Sequence, residues 1–459
     1  WRAQGGTAAM SELETQAIKK AFDRDAFSVW MSYHGGALVT LYPWGYHSDA
    51  VIDTGEFRRV CASYARATGN RYGSIYSIMY YCAGSTIDHF YGGEGMLAIG
   101  AEVHSIKTPP ASSIDSLFNA HRDPMLDLMR YAKQGIEGIV TDSFTGQPIA
   151  RAFLEPTTPA RWVSYTDSPN GDYHRYLRPG TYTIRFSANG YNSKTVSNIV
   201  VPSDTSVVLN VRLVPNQTQR RFAYKVSMCN VADPNQAYAN HSLTHWALGL
   251  RDGRRLSIGV GGWVDFDMGT PVVNRTGNDF IVVEDDSDVE RCTVYVANNW
   301  NGPWTRLGIA NGTTEFDLQT GGQNQARYIR LRDDGDGSAN APTAGFDVDA
   351  IEVYPLLGIE EKLPLTSKPR MLKLQIDPNL GKDNIHFHIE ATENEKVLLS
   401  IFDISGRVVN QYQLLSNATA CNFVWPCRDR NGKKMPAGVY FVRLDTDEQS
   451  VTQKILLIQ

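Results

Sequence analysis

The chain contains no apolar run near the roughly 18 residues that a membrane-spanning helix needs. It also contains no block of like charges, and its formal net charge is only -5 over 459 residues. Such a charge pattern gives no electrostatic reason to bind nucleic acid or an anionic membrane surface. We therefore expect neither nucleic acid nor a membrane span.

Cysteine is scarce and lacks the spacing of a metal site. The six cysteines fall along the sequence as three pairs, none with the CxxC spacing of structural zinc: Cys61 and Cys82, Cys229 and Cys292, Cys421 and Cys427. Disulfides are open to such a chain in an oxidising compartment, and free buried thiols are an equal alternative. The chain also begins at Trp1 without an initiator Met or a leader peptide, so we expect further residues upstream.

The composition that is present, 42% hydrophobic and 20% charged, is that of an ordinary globular protein. The length exceeds what one hydrophobic core usually supports, so several domains are expected. Helical spacing over residues 11–23, 56–68 and 113–133 alternates with apolar runs at 27–34 and 95–103. This alternation predicts an α/β domain with a parallel or mixed sheet over residues 1–134.

From Gly135 the pattern changes to short alternating strands divided by Gly, Pro, Asn and Asp. That pattern is typical of antiparallel β-sandwiches. We predict three all-β sandwich domains, at 135–214, 215–356 and 371–459, with a linker over 357–370 that carries scattered Pro and Lys.

Three motifs follow one another in the α/β segment: WMSYHGGALVTLYPWGY at 30–46, IYSIMYYCAGSTIDHFY at 75–91 and AIGAEVHSIKTPP at 98–110. Together with SELETQ at 11–16, they closely resemble the zinc metallocarboxypeptidase family, in the branch that carries a transthyretin-like domain. The resemblance implies a secreted peptidase that removes C-terminal residues from a peptide or protein substrate, with zinc as cofactor.

The resemblance assigns roles to individual side chains. His34, at the end of a predicted strand, would be the third ligand of a catalytic zinc, which needs three protein ligands and an open position for water. Glu102 would be the general acid/base, and a carboxylate in the apolar run MLAIGAEV is costly to bury without such a reason. Tyr80, eight residues before Asp88, would be the mobile tyrosine that closes over the substrate, with Tyr81 as the competing register.

Specificity is expected from two positions. Relatives that remove Lys or Arg carry an acidic residue just after the Tyr-Pro-aromatic turn, where this chain has Gly45, and the other pocket position matches Ile87. The resemblance therefore implies an apolar pocket for an aromatic or large aliphatic C-terminal residue. A cation in an uncharged, dry pocket would lose its hydration without gaining a partner.

The chain departs from the family in its missing ligands. The family takes its first two zinc ligands from a His-x-x-Glu motif, and none of the ten histidines has Glu three residues later. The arginine that polarises the scissile carbonyl and the Asn-Arg pair that binds the substrate carboxylate are expected upstream as well. We interpret the α/β domain as partial and expect this polypeptide to be inactive alone, because one ligand cannot hold catalytic zinc.

The β-domains carry resemblances of their own. The segment GIEGIVTDSFTGQPIARAFLE at 135–155 is similar to the transthyretin-like carboxypeptidase regulatory domain, and VDFDMGTPVVNRTGNDFIVVE at 264–284 to a galactose-binding-type jelly roll. The final segment, through WPCRDRNGKKMPAGVYFVRL at 425–444, resembles the C-terminal sorting domains of bacterial type IX secretion. This last resemblance implies a bacterial protein that is secreted or held at the cell surface.

Acidic residues cluster on adjacent turns of the jelly-roll segment and offer oxygen ligands that suit calcium, with solvated acidic turns as the alternative. They are Asp333, Asp334, Asp336, Asp347 and Asp349. A glycan or cell-surface ligand for this segment rests on analogy alone. The alternative function is a non-catalytic surface adhesin or glycan-binding protein on a carboxypeptidase-like scaffold, and an endopeptidase of the same zinc class is a third hypothesis.

Overall fold

The structure is a computed structural model. It describes residues 12–25, 27–216, 219–230, 244–285, 289–335, 344–354, 373–376, 380–382, 384–390, 396–404, 407–415, 420–429, 432–446 and 450–458. The chain divides into two compact units, Trp1–Leu357 and Gly358–Gln459.

The first unit begins with alternating helices and strands around a mixed four-stranded sheet. The helices are α1 (Leu13–Arg24), α2 (Thr54–Thr68), α3 (Ile75–Ile78), α4 (Thr86–Gly92) and α5 (Ile114–Tyr131), and the strands are β1 (Val29–His34), β2 (Ala37–Tyr42), β3 (Arg71–Ser74) and β4 (Leu97–His104). The strand order is β1-β4-β2-β3, with β1 parallel and β2 antiparallel to β4. Because β4 lies between two strands, its first five residues are buried and read as a continuous apolar run.

The second segment forms two four-stranded sheets around a core of its own. Its strands are β5 (Gly135–Asp142), β6 (Phe153–Thr158), β7 (Ser164–Tyr165), β8 (Asp172–Tyr176), β9 (Gly180–Ser187), β10 (Lys194–Val201), β11 (Ser206–Val208) and β12 (Val211–Leu213). One sheet has the order β10-β9-β6-β7, and the other has the order β11-β5-β12 with β8 also paired to β5. Buried Tyr173, Ile184 and Phe186 lie in the core that the segment builds.

The third segment forms two five-stranded sheets. Its strands are β13 (Arg221–Phe222), β14 (Lys225–Asn230), β15 (Leu256–Ser257), β16 (Trp263–Val273), β17 (Phe280–Glu284), β18 (Arg291–Ala297), β19 (Thr305–Asn311), β20 (Thr314–Phe316), β21 (Gln325–Asp333) and β22 (Asp347–Val353). One sheet runs β14-β16-β21-β18-β19, and the other runs β13-β22-β17-β20 with β15 paired to β22. Short 3-10 helices occur at Ala111–Ser113, Thr244–Ala247 and Leu318–Gly321.

The three segments of the first unit meet in a common hydrophobic cluster, which lies beside the second segment's own core. A single cluster of buried side chains runs from Phe22 of α1 to Val353 of β22. At its centre lies Trp162 of the second segment, whose ring centroid is 4.9 Å from Tyr91 of α4 and 4.4 Å from His245 of the third segment. The Trp162 indole N–H donates to the Gly92 carbonyl at 3.2 Å. This cluster therefore crosses the segment boundaries predicted from the sequence.

Buried ion pairs reinforce the same junction. Arg175 of β8 donates to the Asp53 carboxylate at 2.6 Å, and Arg161 donates to Glu56 of α2 at 2.8 Å. Glu94 pairs with Lys225 of β14; burial by itself would raise the pKa of Glu94, but Lys225 and other cations lower it to about 2. Removing one partner of such a pair leaves an uncompensated buried charge, which is strongly destabilising.

The second unit consists of short strands in two sheets. Its strands are β23 (Lys373–Ile376), β24 (Leu380–Gly381), β25 (Ile385–Glu390), β26 (Lys396–Asp403), β27 (Val408–Leu415), β28 (Ala420–Trp425), β29 (Gly438–Asp445) and β30 (Ser450–Leu457). The sheet orders are β23-β25-β28 and β24-β30-β29-β26-β27. Alternate side chains of β25 and β29, together with Trp425, are buried in a core that belongs to this unit alone.

Two expectations from the sequence are tested directly by the described residues. Cys61, Cys82, Cys229 and Cys292 are free thiols, so the disulfides left open by their paired spacing do not form among these four. Within the same described ranges, no helix is long and apolar enough to cross a membrane.

The common hydrophobic cluster predicts a large effect of Trp162→Ala. Removing a fully buried indole that contacts all three segments should lower the free energy of unfolding of the first unit by about 3–5 kcal/mol. Urea unfolding followed by near-ultraviolet circular dichroism measures this change. Phe144→Ala, at a side chain 80% exposed, is the matched control, and a loss below about 1 kcal/mol for Trp162→Ala would contradict a common cluster.

Candidate active site

The two residues expected to carry the chemistry are brought together by the central strand pair. In the parallel ladder of β1 and β4, His34 is the direct partner of Glu102. Residues paired in register present their side chains to the same face of a sheet. Both lie near the carboxyl ends of parallel strands, where ligands bind in open α/β sheets. The sequence-predicted metal ligand and general base are therefore neighbours.

The chain crosses from β1 to β2 over the end of β4, and two glycines allow this crossing. The Gly36 amide donates to the His104 carbonyl at 2.8 Å, and Gly36 has a φ of +135°, a conformation that favours glycine. A Cβ on Gly35 would lie 3.1 Å from the Lys107 carbonyl oxygen, and one on Gly36 would lie 3.9 Å from Glu102 Oε2. The HGG sequence thus brings the backbone close above the Glu102 carboxylate.

The Glu102 carboxylate has hydrogen-bonding capacity that the described residues do not use. Its Oε2 is buried and accepts no hydrogen bond from any of them. A buried unsatisfied carboxylate oxygen costs free energy, and such an atom in a native site calls for a functional explanation. His34, by contrast, is exposed at the strand end. An oxygen acceptor beside an accessible imidazole fits water held next to a metal.

A catalytic zinc needs three protein ligands, and His34 is the one that the sequence predicts in this chain. Among the described residues, no group of three or more His, Cys, Asp and Glu side chains could hold a metal ion. His34 fits the role of one ligand, and nothing else in this part of the chain completes the set.

Tyr80 and its alternative Tyr81 lie in the loop between α3 and α4. Both are accessible, with 44% and 39% of their surfaces exposed. An exposed tyrosine in a loop can move, as the expected clamp over the substrate requires. Accessibility alone does not separate the two registers.

Gly45 and Ile87, the two predicted specificity positions, both lie against other residues of the segment. A Cβ on Gly45 would lie 2.8 Å from the Cys82 carbonyl oxygen and 3.2 Å from Asp88 Oδ2, so the space beside Gly45 is filled. Ile87 of α4 is buried, and its Cδ1 lies 2.8 Å from where a Cβ on Gly100 would be. An apolar pocket was expected because Gly45 replaces an acid, yet the Asp88 carboxylate lies directly against it.

Asp88 is a residue whose importance the sequence alone did not reveal. It is buried, and both carboxylate oxygens accept from the Gly45 amide at 3.0 Å. Burial raises the pKa of Asp88 to about 7, against the lowering effect of the Gly45 and Tyr46 amides. The carboxyl group is thus engaged with the backbone of the Tyr-Pro-aromatic turn. The signal available in the sequence was an acidic residue next to Ile87 in the first turn of α4.

The calcium expectation finds no support in the described residues, because each aspartate is engaged separately. Asp333 accepts from the amides of Gly261, Gly335 and Phe346, and Asp349 accepts from the amides of Asp252 and Gly253. The other two pair with arginines, Asp334 with Arg291 at 3.3 Å and Asp347 with Arg255 at 3.4 Å, and Asp336 lies outside the described residues.

Comparison with known families agrees with this organisation. Residues 2–123 match the zinc carboxypeptidase family model, residues 135–214 match the carboxypeptidase regulatory-like domain, and residues 375–459 match the secretion system C-terminal sorting domain. The first part of the chain is thus similar to zinc carboxypeptidases. The sorting domain indicates a protein of type IX secretion that is released or held at the cell surface.

Individual relatives are distant. Carboxypeptidase Z of Rattus norvegicus is 29% identical over 213 residues, which cover 41% of this chain and 32% of the relative. Carboxypeptidase D of Drosophila melanogaster is 27% identical over 227 residues, 45% of this chain and 16% of the relative. The chain therefore spans about a third or less of these relatives. The solved β-glucuronidase of Faecalibacterium prausnitzii shares 14% identity over 42% of this chain and 37% of that chain, at a TM-score of 0.15 that carries no argument.

The raised pKa of Asp88 predicts a pH dependence of stability. A carboxyl whose folded-state pKa is about 7 rather than 3.8 disfavours the folded state as it ionises. The free energy of unfolding should therefore fall as the pH rises from 5 to 8, by at most about 1.4 kcal/mol per pH unit from this group. Asp88→Asn should remove that slope, as measured by urea unfolding at each pH.

The matched control for this measurement is Asp123→Asn, at a carboxylate whose pKa is lowered by its hydrogen bond from Arg122. Its ionisation is complete below pH 5, so the control should keep the wild-type slope. Equal slopes for wild type and Asp88→Asn would show that Asp88 is not the titrating group.

Proposed function

We propose that this chain carries part of the active site of a secreted zinc carboxypeptidase that removes apolar or aromatic C-terminal residues from peptides. The observation that carries the proposal is the pairing of His34 with Glu102 across the β1–β4 ladder, with Glu102 Oε2 buried and without a hydrogen bond from the described residues. An accessible imidazole beside an unsatisfied carboxylate oxygen is the arrangement that metal-assisted hydrolysis of a peptide bond requires.

The roles of the chain's own residues follow from this arrangement. His34 would hold the zinc through a ring nitrogen, and bound zinc supplies a water whose pKa is lowered to about 7. Glu102 accepts a proton from the attacking water as the carbonyl carbon is attacked. Glu102 then delivers that proton to the nitrogen of the leaving amino acid, so the peptide C–N bond breaks with balanced charge. Tyr80 covers the C-terminal end of the substrate from the loop before α4.

The substrate preference rests on Ile87 and on the state of Asp88. Both oxygens of the buried Asp88 carboxyl group accept from the Gly45 backbone amide, so the group is engaged with the backbone before a basic side chain enters. Burying a cation beside such a group would not repay its lost hydration. An apolar C-terminal residue is therefore preferred over Lys or Arg.

The remaining ligands must come from polypeptide outside these 459 residues, and the surface around the site supports this. Large apolar side chains are exposed on α5 and in the loops and strands beside it: Leu38, Ile106, Ile114, Phe118 and Met129 are 50–60% exposed. Exposed apolar side chains mark a contact with another segment or protein where they cluster on the surface. We infer that the segment which supplies the His-x-x-Glu ligands also covers this surface.

Glu102→Gln tests the general base. In the protein expressed with the residues that precede Trp1, the variant should lower kcat for a peptide ending in Phe by a factor of about 10²–10⁴, because the amide cannot accept the proton. Zinc content, measured by atomic absorption, should not change. Glu14→Gln, at an exposed position of α1, is the control, and near wild-type turnover by Glu102→Gln would remove Glu102 from the mechanism.

The proposal also predicts how the 459-residue chain behaves by itself. With His34 as its one zinc ligand, it should bind zinc more weakly than about micromolar and should release neither Phe nor Arg from test peptides. Competition with a chromophoric chelator measures the affinity, and His34→Ala should lower it further. Stoichiometric zinc binding that survives His34→Ala would show that the ligands lie elsewhere.

A further inference from the structure

A cavity of about 280 Å³ lies where the three segments of the first unit meet. Its wall includes Phe22 and Glu94 from the α/β segment, Tyr165 from the second segment, and Lys225 and Trp300 from the third. None of the residues proposed for catalysis or substrate specificity lines it. The cavity is therefore a second site, separate from His34 and Glu102.

Several of the ionic groups that line this cavity have partners within the protein. Lys225 pairs with Glu94, and Arg327 donates to both oxygens of Asp267 at 2.7 and 2.8 Å. Arg151 donates to the Gly269 carbonyl at 2.7 Å. Burial and the neighbouring Asp172 carboxyl group raise the pKa of Asp167 to about 7. The charges of Lys225, Glu94 and Arg327 are thus matched before any ligand enters. This disfavours a phosphate, a carboxylate or a free amino acid as the occupant.

Hydrogen-bonding groups in the cavity wall remain available to a ligand. The Tyr165 side chain is only 8% exposed, yet its hydroxyl makes no hydrogen bond with the described residues. Burial raises the pKa of Tyr165, so the group stays a neutral O–H that can donate and accept. Glu94 Oε1 likewise accepts no hydrogen bond from the described residues. The exposed side-chain amides of Asn298 and Asn299 also line the cavity and add donors and acceptors.

Aromatic side chains supply the apolar part of the wall. Trp300 and Tyr328 line the cavity together with Phe22. Lys19 lies 5.6 Å from the Trp300 ring centroid and Arg327 lies 5.2 Å from that of Tyr328. These cation–π contacts help hold the rings in place. A small cavity with aromatic walls and a few convergent neutral polar groups is the form of a small-molecule site.

We propose that this cavity binds a neutral, polyhydroxylated molecule of monosaccharide size. Hydroxyl groups match the unpaired Tyr165 hydroxyl, the Glu94 oxygen and the two Asn amides, while the C–H faces of a sugar ring suit the aromatic wall. Since the wall comes from all three segments, a bound sugar contacts each of them. The sugar is either free or the terminal residue of a glycan, and this site does not depend on the proposed peptidase activity.

Calorimetric titration of the 459-residue chain tests the proposal, with methyl glycosides of glucose, galactose and N-acetylglucosamine as probes. At least one probe should bind with a Kd below 10 mM, which lies within the weak range expected for a ligand this small. Tyr165→Phe, which deletes one hydroxyl, should weaken that binding by about tenfold, the loss of roughly one hydrogen bond. Tyr72→Phe, at a half-exposed tyrosine of β3 away from the cavity, should bind as wild type does.

Two further measurements separate the alternatives. Glycine and inorganic phosphate are the charged probes, and binding of either one in place of all three glycosides would overturn the proposal. Failure of every glycoside to bind would also overturn the proposal. So would a glycoside affinity of Tyr165→Phe equal to that of wild type, provided that the two proteins unfold at the same temperature. Binding to immobilised glycans with the same terminal sugar shows that the source is a glycan, whereas binding of the free glycoside alone assigns a free sugar.

Discussion

The first unit depends on the burial of Trp162 between a side chain of the α/β segment and one of the third segment. Its indole packs on Tyr91 of α4 and on His245 of the third segment, and donates to the Gly92 carbonyl. Because α4 also carries Asp88 and Ile87, the same contact holds the helix on which the predicted specificity residue Ile87 lies. The regulatory-like segment thus takes part in holding this helix in place.

The close approach of these segments has a clear steric basis at Gly95. A Cβ at this position would lie 2.3 Å from the Val163 carbonyl oxygen, and the residue has a φ of +72°. The Gly95 carbonyl accepts hydrogen bonds from Ser164 and Arg175 at 3.2 and 3.1 Å. Only glycine permits both the conformation and the contact. A polar cavity lies beside this junction, and its wall includes the ion pair of Glu94 and Lys225.

The sequence allows the strands that carry the residues expected for catalysis to be predicted. It says less about the surroundings of the residues expected for specificity. His34 is the last residue of β1 and Glu102 lies near the end of β4, and both strands follow apolar patterns in the sequence. Gly45 was expected to contribute to an apolar pocket, and in the structure Cys82 and Asp88 lie against it. That arrangement depends on how α4 packs against the Tyr-Pro-aromatic turn, 43 residues earlier in the chain, and local patterns do not encode such a distant contact. Likewise, clustered aspartates in sequence suggested calcium, whereas each of the four described aspartates accepts hydrogen bonds or pairs with arginine.

The sequence by itself determined the order of the segments, the strands that carry His34 and Glu102, and the presence of a secretion sorting domain. These features can be predicted from local periodicity and contiguous motifs, without knowing which distant segments are in contact. Tertiary structure alone decided that the first three segments meet in a common hydrophobic cluster and that Asp88 lies against Gly45. It also decided that a cavity lies where the segments meet, with a Tyr165 hydroxyl that makes no hydrogen bond with the described residues. The physical reason is that these features arise only where segments far apart in the chain pack together. That packing decides which groups are buried, whether each one finds a hydrogen-bond partner, and whether its pKa is raised or lowered.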